Sequence, residues 1–356
     1  MPFERKLSVN FVDQLREQFG NEIDASHVKK FATSQGCAYP TVARKLKQFQ
    51  VKKGSWNLTL SEGREILEKS LSAPAVLPSV ERNLVPAVDT TFVPFGNFSD
   101  VRKVITSKLF YPMFITGLSG NGKTFSVEQA CAKANRELIR VNISIETDED
   151  DLIGGFRLVD GNTVWHNGPV VEALERGAVL LLDEIDLASN KILCLQSILE
   201  GKGVFLKKIG KFVKPAEGFT VVATANTKGK GSDDGRFVGT NVLNEAFLER
   251  FPITFEQQYP SPISEQKILE ILNPKDDFNK KLVDWADIIR KTFYDGGIDE
   301  IISTRRLVHI VRAYQIFGIR EKAITTCISR FDEETKQAFQ EIYDNVDADV
   351  DFDKEV

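Results

Sequence analysis

The sequence predicts an α/β protein with a parallel sheet in its central domain, a helical domain after it and a small helical domain before it. Three observations indicate this arrangement. Four short, almost uninterrupted apolar runs lie in the middle of the chain, at residues 113–116, 138–141, 179–182 and 220–223. Such runs are typical of parallel strands buried on both faces. Helical periodicity alternates with these runs, dominates after residue 260, and also marks a separate block before residue 50.

Turn residues and charge divide the chain further. The predicted parts are residues 1–71 (a helix-turn-helix or winged-helix-like domain), 72–94 (a proline-containing linker), 95–259 (the α/β core), 260–343 (a helical lid) and 344–356 (an acidic tail). The first 60 residues hold ten Lys or Arg against five Asp or Glu, whereas residues 331–356 hold ten Asp or Glu against two Lys. A basic head and an acidic tail favour different partners.

Composition excludes several classes of function. The chain has 356 residues and a net charge of −5, with 42% hydrophobic residues, and its longest aliphatic run is residues 178–182. A membrane span needs about 18 apolar residues, so no membrane partner is expected. The four cysteines and three histidines are scattered, without a Cys-x-x-Cys pair, which argues against a disulfide framework and a zinc site. We expect a cytoplasmic protein.

A phosphate-binding motif follows the first apolar run. Residues 117–124 read Gly-Leu-Ser-Gly-Asn-Gly-Lys-Thr and fit the pattern G-x-x-x-x-G-K-[ST] between a strand and a helix. Glycines let backbone N–H groups approach a polyphosphate, the lysine adds charge, and the threonine hydroxyl can bind Mg²⁺. The predicted cofactor-binding residues are Gly117, Ser119, Gly120, Asn121, Gly122, Lys123, Thr124 and Phe125, with Thr124 also a magnesium ligand.

Two later strand ends carry polar residues that complete such a site. Residues 179–184 form an apolar strand that ends in Asp183 and Glu184. We expect Asp183 to hold Mg²⁺ and Glu184 to act as general base on the attacking water. Asn226 ends the strand predicted over residues 219–226 and could position that water. For Asp186, a capping or subunit-contact role is more plausible than catalysis.

These motifs, in this order, resemble an AAA+ ATPase, in which they are Walker A, Walker B and sensor 1. Residues 244–251 resemble the arginine-finger segment, with Arg250 as the candidate and Arg236 as its competitor. Residues 302–307 resemble sensor 2, with Arg305 as the first candidate and Arg306, also predicted to bind the cofactor, as the second. The resemblance implies ATP and Mg²⁺ as cofactors and catalytic roles for Glu184, Asn226, Arg250 and Arg305.

A finer resemblance is to the MoxR-like branch. Residues 151–174 resemble its helix-2 insertion, a hairpin turning at residues 160–161, and residues 203–213 resemble a second hairpin before sensor 1. The ATPase subunit of the cobalt-inserting chelatase and related phage-encoded ATPases are similar, which would place a phage-encoded protein in the host cytoplasm. The resemblance implies a homo-oligomeric ring, usually of six subunits, with Arg250 reaching the neighbouring subunit's ATP.

The N-terminal block has helix-turn-helix spacing. Helices are predicted at residues 24–33, begun by Asp24 or Ser26, and at 41–49, followed by a hairpin turning at 54–55. We expect Val42, Leu46 and Phe49 to pack inward and Trp56 to lie on a wing. The possible nucleic-acid contacts are Arg44, Lys45, Lys47, Lys52 and Lys53. Docking of a protein partner is an equal alternative.

Three functions therefore compete. The first is an ATP-driven machine that remodels a macromolecular partner, most simply a protein. The second is a DNA-bound motor or loader anchored by residues 1–71, and the third is the ATPase subunit of a metal chelatase. The acidic tail, residues 344–356, is expected to be mobile or to bind a basic surface.

Overall fold

The structure is a computed structural model that describes residues 11–58, 83–231, 239–274 and 276–347, except the side chain of Gln48. The described residues fall into two compact units. The N-terminal unit contains residues 11–58 together with 157–165, and the main unit contains the other described residues. No helix in these ranges is long and apolar enough to cross a bilayer.

The N-terminal unit combines three helices with a small antiparallel sheet of order β1-β3-β2. Its elements are α1 (Phe11–Phe19), β1 (Glu22–Asp24), α2 (Ala25–Gln35), α3 (Tyr39–Lys45), β2 (Gln50–Lys52) and β3 (Ser55–Asn57). A cluster of buried apolar side chains holds them together. Val42, Leu46 and Phe49 lie in this cluster, as expected, and are fully buried.

Helix α2 begins as a capped helix should. The Asp24 carboxylate accepts from the backbone N–H groups of Ser26 at 2.8 Å and His27 at 3.1 Å. These bonds satisfy N–H groups that the first turn leaves without partners. Gly36, at φ +67°, ends the helix in the left-handed conformation. The cap at Asp24 is confirmed.

Other N-terminal predictions need correction. Helix α3 begins two residues earlier than predicted and ends at Lys45, with a 3-10 turn over residues 47–49. The hairpin turns at Lys53–Gly54 rather than one residue later, because Gly54 supplies the positive φ. Trp56 lies on β3 of the predicted hairpin, and its side chain, 3% exposed, belongs to the core. It faces inward because it pairs with Ile23 across β1 and β3.

A five-stranded parallel sheet forms the centre of the main unit, in the order β12-β4-β11-β8-β5. Its strands are β4 (Met113–Thr116), β5 (Leu138–Asn142), β8 (Val179–Asp183), β11 (Thr220–Ala225) and β12 (Ile253–Glu256). The four apolar runs are all strands, so the α/β core with a parallel sheet is confirmed. Strand β12 was not predicted, because it is an edge strand whose Thr254 and Glu256 are exposed.

Helices and two hairpins connect the strands of this sheet along the chain. The helices are α4 (Phe98–Ser107), α5 (Lys123–Lys133), α6 (Glu149–Leu152), α7 (Pro169–Arg176), α8 (Gln196–Leu199) and α9 (Glu245–Leu248). One hairpin joins β6 (Gly154–Val159) to β7 (Asn162–Asn167) and turns at residues 160–161, as predicted. The other joins β9 (Val204–Leu206) to β10 (Lys211–Val213), within the predicted 203–213.

Residues 83–94 are not simply a linker. The backbone N–H of Leu138 donates to the carbonyl of Leu84 at 3.0 Å, and that of Asp89 donates to Gln129 Oε1 at 2.8 Å. Phe92 is buried against Phe98 and lies in the core cluster. Apolar side chains between the prolines therefore bind this half of the segment to the core, and residues 72–82 lie outside the described part.

Five helices follow the sheet and form the lid. They are α10 (Pro262–Leu272), α11 (Asp277–Tyr294), α12 (Thr304–Phe317), α13 (Arg320–Ile328) and α14 (Glu333–Asp347). Trp285, Phe278 and Phe339 are fully buried at the centre of their common core. Helix α14 continues four residues past the predicted lid boundary, because Tyr343 and Val346 pack on this core and Lys281 forms an ion pair with Asp347. Residues 348–356 of the predicted tail lie outside the described part.

Candidate active site

The glycine-rich loop between β4 and α5 needs its glycines. Gly117, Gly120 and Gly122 have φ values of +150°, +72° and +82°. A Cβ atom on Gly117 would lie 2.2 Å from the carbonyl oxygen of Gln257, and one on Gly120 would lie 2.6 Å from Ser303 Oγ. Only glycine fits at these two positions, because any side chain would collide with Gln257 or Ser303. The loop backbone can therefore lie close to the end of β12 and to the start of α12 in the lid.

The loop also offers hydrogen-bond donors. Within the described part of the chain, the backbone N–H groups of residues 118–122 have no hydrogen-bond partner. They immediately precede α5, whose N-terminus carries a partial positive charge. Asn121 does not face this space, since its side-chain amide donates to the Gln257 carbonyl at 2.6 Å. Asn121 therefore shapes the loop, and only its backbone is available to a ligand.

Lys123 lies at the centre of the site and is 8% exposed. Its ammonium donates to the carbonyls of Gly117 at 2.6 Å and Leu118 at 3.0 Å, and to Asn226 Oδ1 at 3.2 Å. Burial lowers the pKa of this ammonium to about 8, although the nearby carboxylates of Asp186 and Asp183 oppose the shift. A bound polyanion would favour the charged form.

The two predicted magnesium ligands are in contact. Asp183, at the end of β8, is 5% exposed, and its Oδ1 accepts from the Thr124 hydroxyl at 2.8 Å. The Thr224 hydroxyl on β11 donates to the same oxygen. Thr224 was not predicted, although it lies two residues before Asn226 on a neighbouring strand. The site thus gathers a carboxylate and two hydroxyls, which are hard oxygen donors.

Arg140 is a second residue that sequence reasoning missed. Its guanidinium forms an ion pair with Asp183 Oδ2 at 2.5 Å and another with Glu128 at 3.0 Å. Register explains the contact, because Asn142 on β5 pairs with Asp183 on β8 and Arg140 lies two residues earlier in the strand. The available signal was a charged residue inside the otherwise apolar run 138–141.

Glu184 has an uncommon backbone conformation for a residue that is not glycine. Its φ is +58° and its ψ is +43°, and its backbone N–H donates to Thr224 Oγ1 at 3.3 Å. The left-handed region costs a non-glycine residue free energy, and such residues cluster at functional sites. The side chain is exposed and lines the cavity described below.

The Asp186 side chain lies inside the protein rather than on a surface that could contact another subunit. It is fully buried, and its Oδ2 accepts from the backbone N–H groups of Asn226 and Thr227, both at 2.9 Å. Of the two predicted alternatives, capping rather than subunit contact describes what the carboxylate does. It fixes the end of β11 and so places the Asn226 amide beside Lys123.

The lid contacts the loop at the start of α12. The backbone N–H of Arg305 donates to the Gly120 carbonyl at 3.2 Å, and the Arg305 side chain is exposed at the cavity. Arg306 turns away, since it donates to the Cys327 carbonyl at 2.7 Å and lies over the Phe331 ring. The structure thus favours Arg305 as the nucleotide-facing arginine and argues against Arg306, because successive helical residues face different directions.

These residues surround a cavity of about 600 Å³, a volume typical of small-molecule sites. The predicted loop residues that line it are Ser119, Gly120, Asn121, Gly122, Lys123, Thr124 and Phe125, whereas Gly117 is not among its lining residues. Asp183, Glu184 and Asn226 also line the cavity. Its lining includes apolar side chains such as Phe92, Leu272 and Val308. The cavity therefore offers both polar and apolar contacts, as a nucleotide requires.

Arg250 does not line this cavity. Its Nε and Nη2 donate to Glu200 Oε1 at 3.0 Å and 2.6 Å, and its side chain is 24% exposed. Arg236 lies outside the described residues. In the N-terminal unit, Arg44, Lys47, Lys52 and Lys53 are exposed and Lys45 is half-buried.

Comparison with known proteins agrees with this geometry. Residues 112–251 match the family model of the AAA domain, dynein-related subfamily. The chain is 27% identical over 259 residues to the aerobic cobaltochelatase subunit CobS of a Sinorhizobium species, covering 68% of this chain and 74% of that protein. Residues 112–251 are thus similar to the AAA domain of AAA+ ATPases. These findings support the MoxR-like kind of AAA+ ATPase.

Further similar sequences are uncharacterised proteins of two Staphylococcus species. An uncharacterised protein of Staphylococcus aureus is 26% identical over 248 residues, which cover 66% of this chain and 89% of that protein. An uncharacterised protein of Staphylococcus haemolyticus is 27% identical over 235 residues, which cover 63% of this chain and 86% of that protein. A solved structure of a putative ATPase from Cytophaga hutchinsonii covers 72% of this chain and 90% of its own, at 17% identity and a TM-score of 0.40. A RuvB mutant from Thermotoga maritima covers 69% of this chain and 73% of its own, at 14% identity and a TM-score of 0.43.

Proposed function

We propose that the chain hydrolyses ATP, with Mg²⁺, in the cavity between the glycine-rich loop and α12. The observation that carries this proposal is the contact between Thr124 and Asp183, next to the buried ammonium of Lys123. Similarity to the AAA+ family supports ATPase activity in general.

The residues present fit a magnesium nucleotide. Thr124 and Asp183 supply the hard oxygen donors that Mg²⁺ prefers, and Mg²⁺ at nucleotide sites takes one or two protein carboxylates together with substrate phosphates. Five loop N–H groups have no partner among the residues that the structure describes, and together with Lys123 beside them they suit a polyphosphate. When bound, the ion neutralises negative charge that develops on the phosphates.

The side chains of this chain then have distinct tasks. The loop N–H groups and Lys123 hold the phosphates. The Glu184 carboxylate accepts a proton from the attacking water, and the Asn226 amide, fixed by Asp186, orients that water. Arg305 brings a permanent positive charge from the lid to the transferred phosphate.

Nucleotide titration tests this site. We expect Lys123→Ala to weaken binding of a fluorescent ATP analogue by at least about tenfold, because a hydrogen-bonded charge is lost. Lys103→Ala, an exposed lysine on α4, is the matched control and should bind normally. Normal binding by Lys123→Ala would place the nucleotide elsewhere.

We further propose that the active form is a ring, most simply a hexamer, in which Arg250 acts on the neighbouring subunit's nucleotide. AAA+ proteins typically form oligomeric rings, and Arg250 lies outside its own cavity. Subunits carrying Arg250→Ala can be mixed with subunits carrying Glu184→Gln. Recovery of ATPase activity supports action between subunits, because an intact Glu184 then meets an intact Arg250. A mixture that stays as inactive as its components would refute it.

The proposed work of the ring is to remodel a macromolecular partner, most simply a protein, in the MoxR-like manner. Support comes from the hairpin β9–β10, where Phe205 and Phe212 face each other across the strands and are each 52% exposed. Exposed aromatic pairs are suited to gripping a polypeptide. Phe205→Ser with Phe212→Ser should leave basal ATPase activity intact and abolish its stimulation by an unfolded protein such as casein. Unchanged stimulation would contradict this role.

A DNA-directed motor or loader is the second candidate. The element order of the N-terminal unit, with a small sheet beside α2 and α3, supports a winged-helix-like domain, and exposed basic residues lie on α3 and next to the hairpin β2–β3. The test measures ATPase activity with double- and single-stranded DNA at two salt concentrations. The triple variant Lys47, Lys52 and Lys53→Gln should lose salt-sensitive stimulation, whereas the control triple Lys191, Lys267 and Lys280→Gln should keep it. ATPase activity that does not change when DNA is added would contradict the DNA-directed role and favour protein remodelling.

A role as the ATPase subunit of a metal chelatase rests on similarity to CobS alone. We propose residues 1–71 as the N-terminal domain, 72–94 as the linker and 344–356 as the tail. Two corrections apply: residues 83–94 contact the core, and residues 344–347 belong to the last lid helix. The proposed place of action is the cytoplasm.

A further inference from the structure

A buried ion pair joins two helices of the lid. Glu265 on α10 and Arg290 on α11 form two parallel hydrogen bonds of 2.8 Å each, and their side chains are 1% and 8% exposed. Arg290 Nε also donates to the Ile302 carbonyl at 2.9 Å. Removing two charges from water is costly, so a buried pair is weak grounds for a purely stabilising role. Its further contacts point to another role.

One end of this pair fixes the start of α12. The Thr304 hydroxyl donates to Glu265 Oε1 at 2.6 Å, and Thr304 is the first residue of that helix. The next residue, Arg305, donates its backbone N–H to the Gly120 carbonyl. Glu265 thus holds the turn from which Arg305 enters the cavity.

The other end reaches the same loop by a different path. The Arg290 guanidinium lies over the Tyr259 ring, 4.3 Å from its centroid. The Tyr259 hydroxyl donates to the Ser119 carbonyl at 2.8 Å. Ser119 and Gly120 are consecutive, so the contacts form a closed circuit that leaves the loop at one residue and returns at the next.

We infer that Tyr259, Arg290, Glu265 and Thr304 are positioning residues that couple the phosphate loop to the lid and hold Arg305 at the nucleotide. The inference rests on the proposed nucleotide site. A shift of the loop on nucleotide binding is carried through the Tyr259 hydroxyl and the ion pair to the first turn of α12. The polar groups of the Glu265–Arg290 pair that are named here all have partners, so the contacts along this path are continuous.

A double-mutant cycle on the full chain tests the coupling. Tyr259→Phe removes only the hydroxyl and keeps the ring under Arg290. We expect Tyr259→Phe to weaken binding of Mg-ATPγS by about two- to tenfold, the value of one net hydrogen bond. Arg305→Ala should weaken it at least as much. The double variant should bind no more weakly than Arg305→Ala, because the hydroxyl acts through Arg305.

A second variant keeps the test independent of folding defects. Thr304→Val removes the bond to Glu265 at nearly constant volume, and its effect should likewise vanish in the Arg305→Ala background. Tyr343→Phe, a buried lid tyrosine away from the loop, is the matched control and should bind normally.

The outcomes separate the two claims. If the unaltered chain binds Mg-ATPγS but Tyr259→Phe binds equally well, or if the single effects multiply in the double variant, the coupling is overturned and the nucleotide site stands. If the unaltered chain does not bind the nucleotide, the proposed site fails and the coupling fails with it.

Discussion

The Thr124 hydroxyl donates to the Asp183 carboxylate across 2.8 Å, although the two residues lie 59 positions apart in the chain. The first is at the start of α5 and the second at the end of β8. The parallel sheet brings them together, because the loop that follows β4 and the end of β8 lie at the same edge.

Replacing Asp183 should remove the magnesium-dependent part of nucleotide binding. We expect Asp183→Asn to bind ATP about 10- to 100-fold more weakly than the unaltered chain in Mg²⁺, since a buried charged ligand is lost. In EDTA the two proteins should bind equally weakly. Calorimetric titrations in both buffers measure the difference, and equal affinities in Mg²⁺ would contradict the role of Asp183.

Arg140 should compete with the metal. Its ion pair with Asp183 supplies a positive charge where the cation is expected, and its side chain is 43% exposed. We expect Arg140→Gln to lower the Mg²⁺ concentration that half-saturates ATP binding by about two- to fivefold, a modest effect because solvent screens the pair. Arg102→Gln, exposed on α4, should change nothing. A raised Mg²⁺ requirement would show that Arg140 assists the metal instead.

Arg250→Ala should keep ATP binding and lose turnover. The arginine lies outside its own cavity, so binding within one subunit does not need it. Glu200→Gln is the control, because it breaks the same intrachain pair and leaves the guanidinium in place. Steady-state phosphate release measures both variants. A normal rate for Arg250→Ala, or an equal loss for Glu200→Gln, would refute the assignment.

The end of the chain offers two truncations with different outcomes. Deleting residues 348–356 should leave ATPase activity and thermal stability unchanged. Deleting 344–356 also removes Val346 and the Asp347 partner of Lys281, so its thermal midpoint should fall by several degrees. Scanning fluorimetry with an ATPase assay distinguishes them. Loss of turnover in the shorter deletion would assign the tail to the lid.

Local patterns made much of the fold predictable. The glycine spacing at 117–122 and the buried strands β4, β8 and β11 depend on neighbouring residues and on burial at both faces. Because these patterns are local, Asp183, Glu184 and Asn226 could be placed at strand ends from the amino-acid sequence alone.

The missed features depend on long-range pairing. Arg140 reaches Asp183 only because β5 lies beside β8 in a particular register, and Thr224 reaches it only because β11 lies on the other side. The Tyr259–Arg290–Glu265 circuit joins segments that share no local motif. The burial of Trp56 was not predicted, because the pairing that turns it inward, with Ile23 on β1, involves a three-residue strand too short to be predicted.

Steady-state phosphate release from Mg-ATP, measured for the unaltered chain and for Glu184→Gln, tests the central claim most directly. Glu217→Gln, an exposed glutamate outside the cavity, is the control. We expect the unaltered chain and the control to hydrolyse ATP. Glu184→Gln should bind ATP normally but hydrolyse it at least about 100-fold more slowly, as loss of a general base implies. Hydrolysis by Glu184→Gln at the unaltered rate would contradict the account.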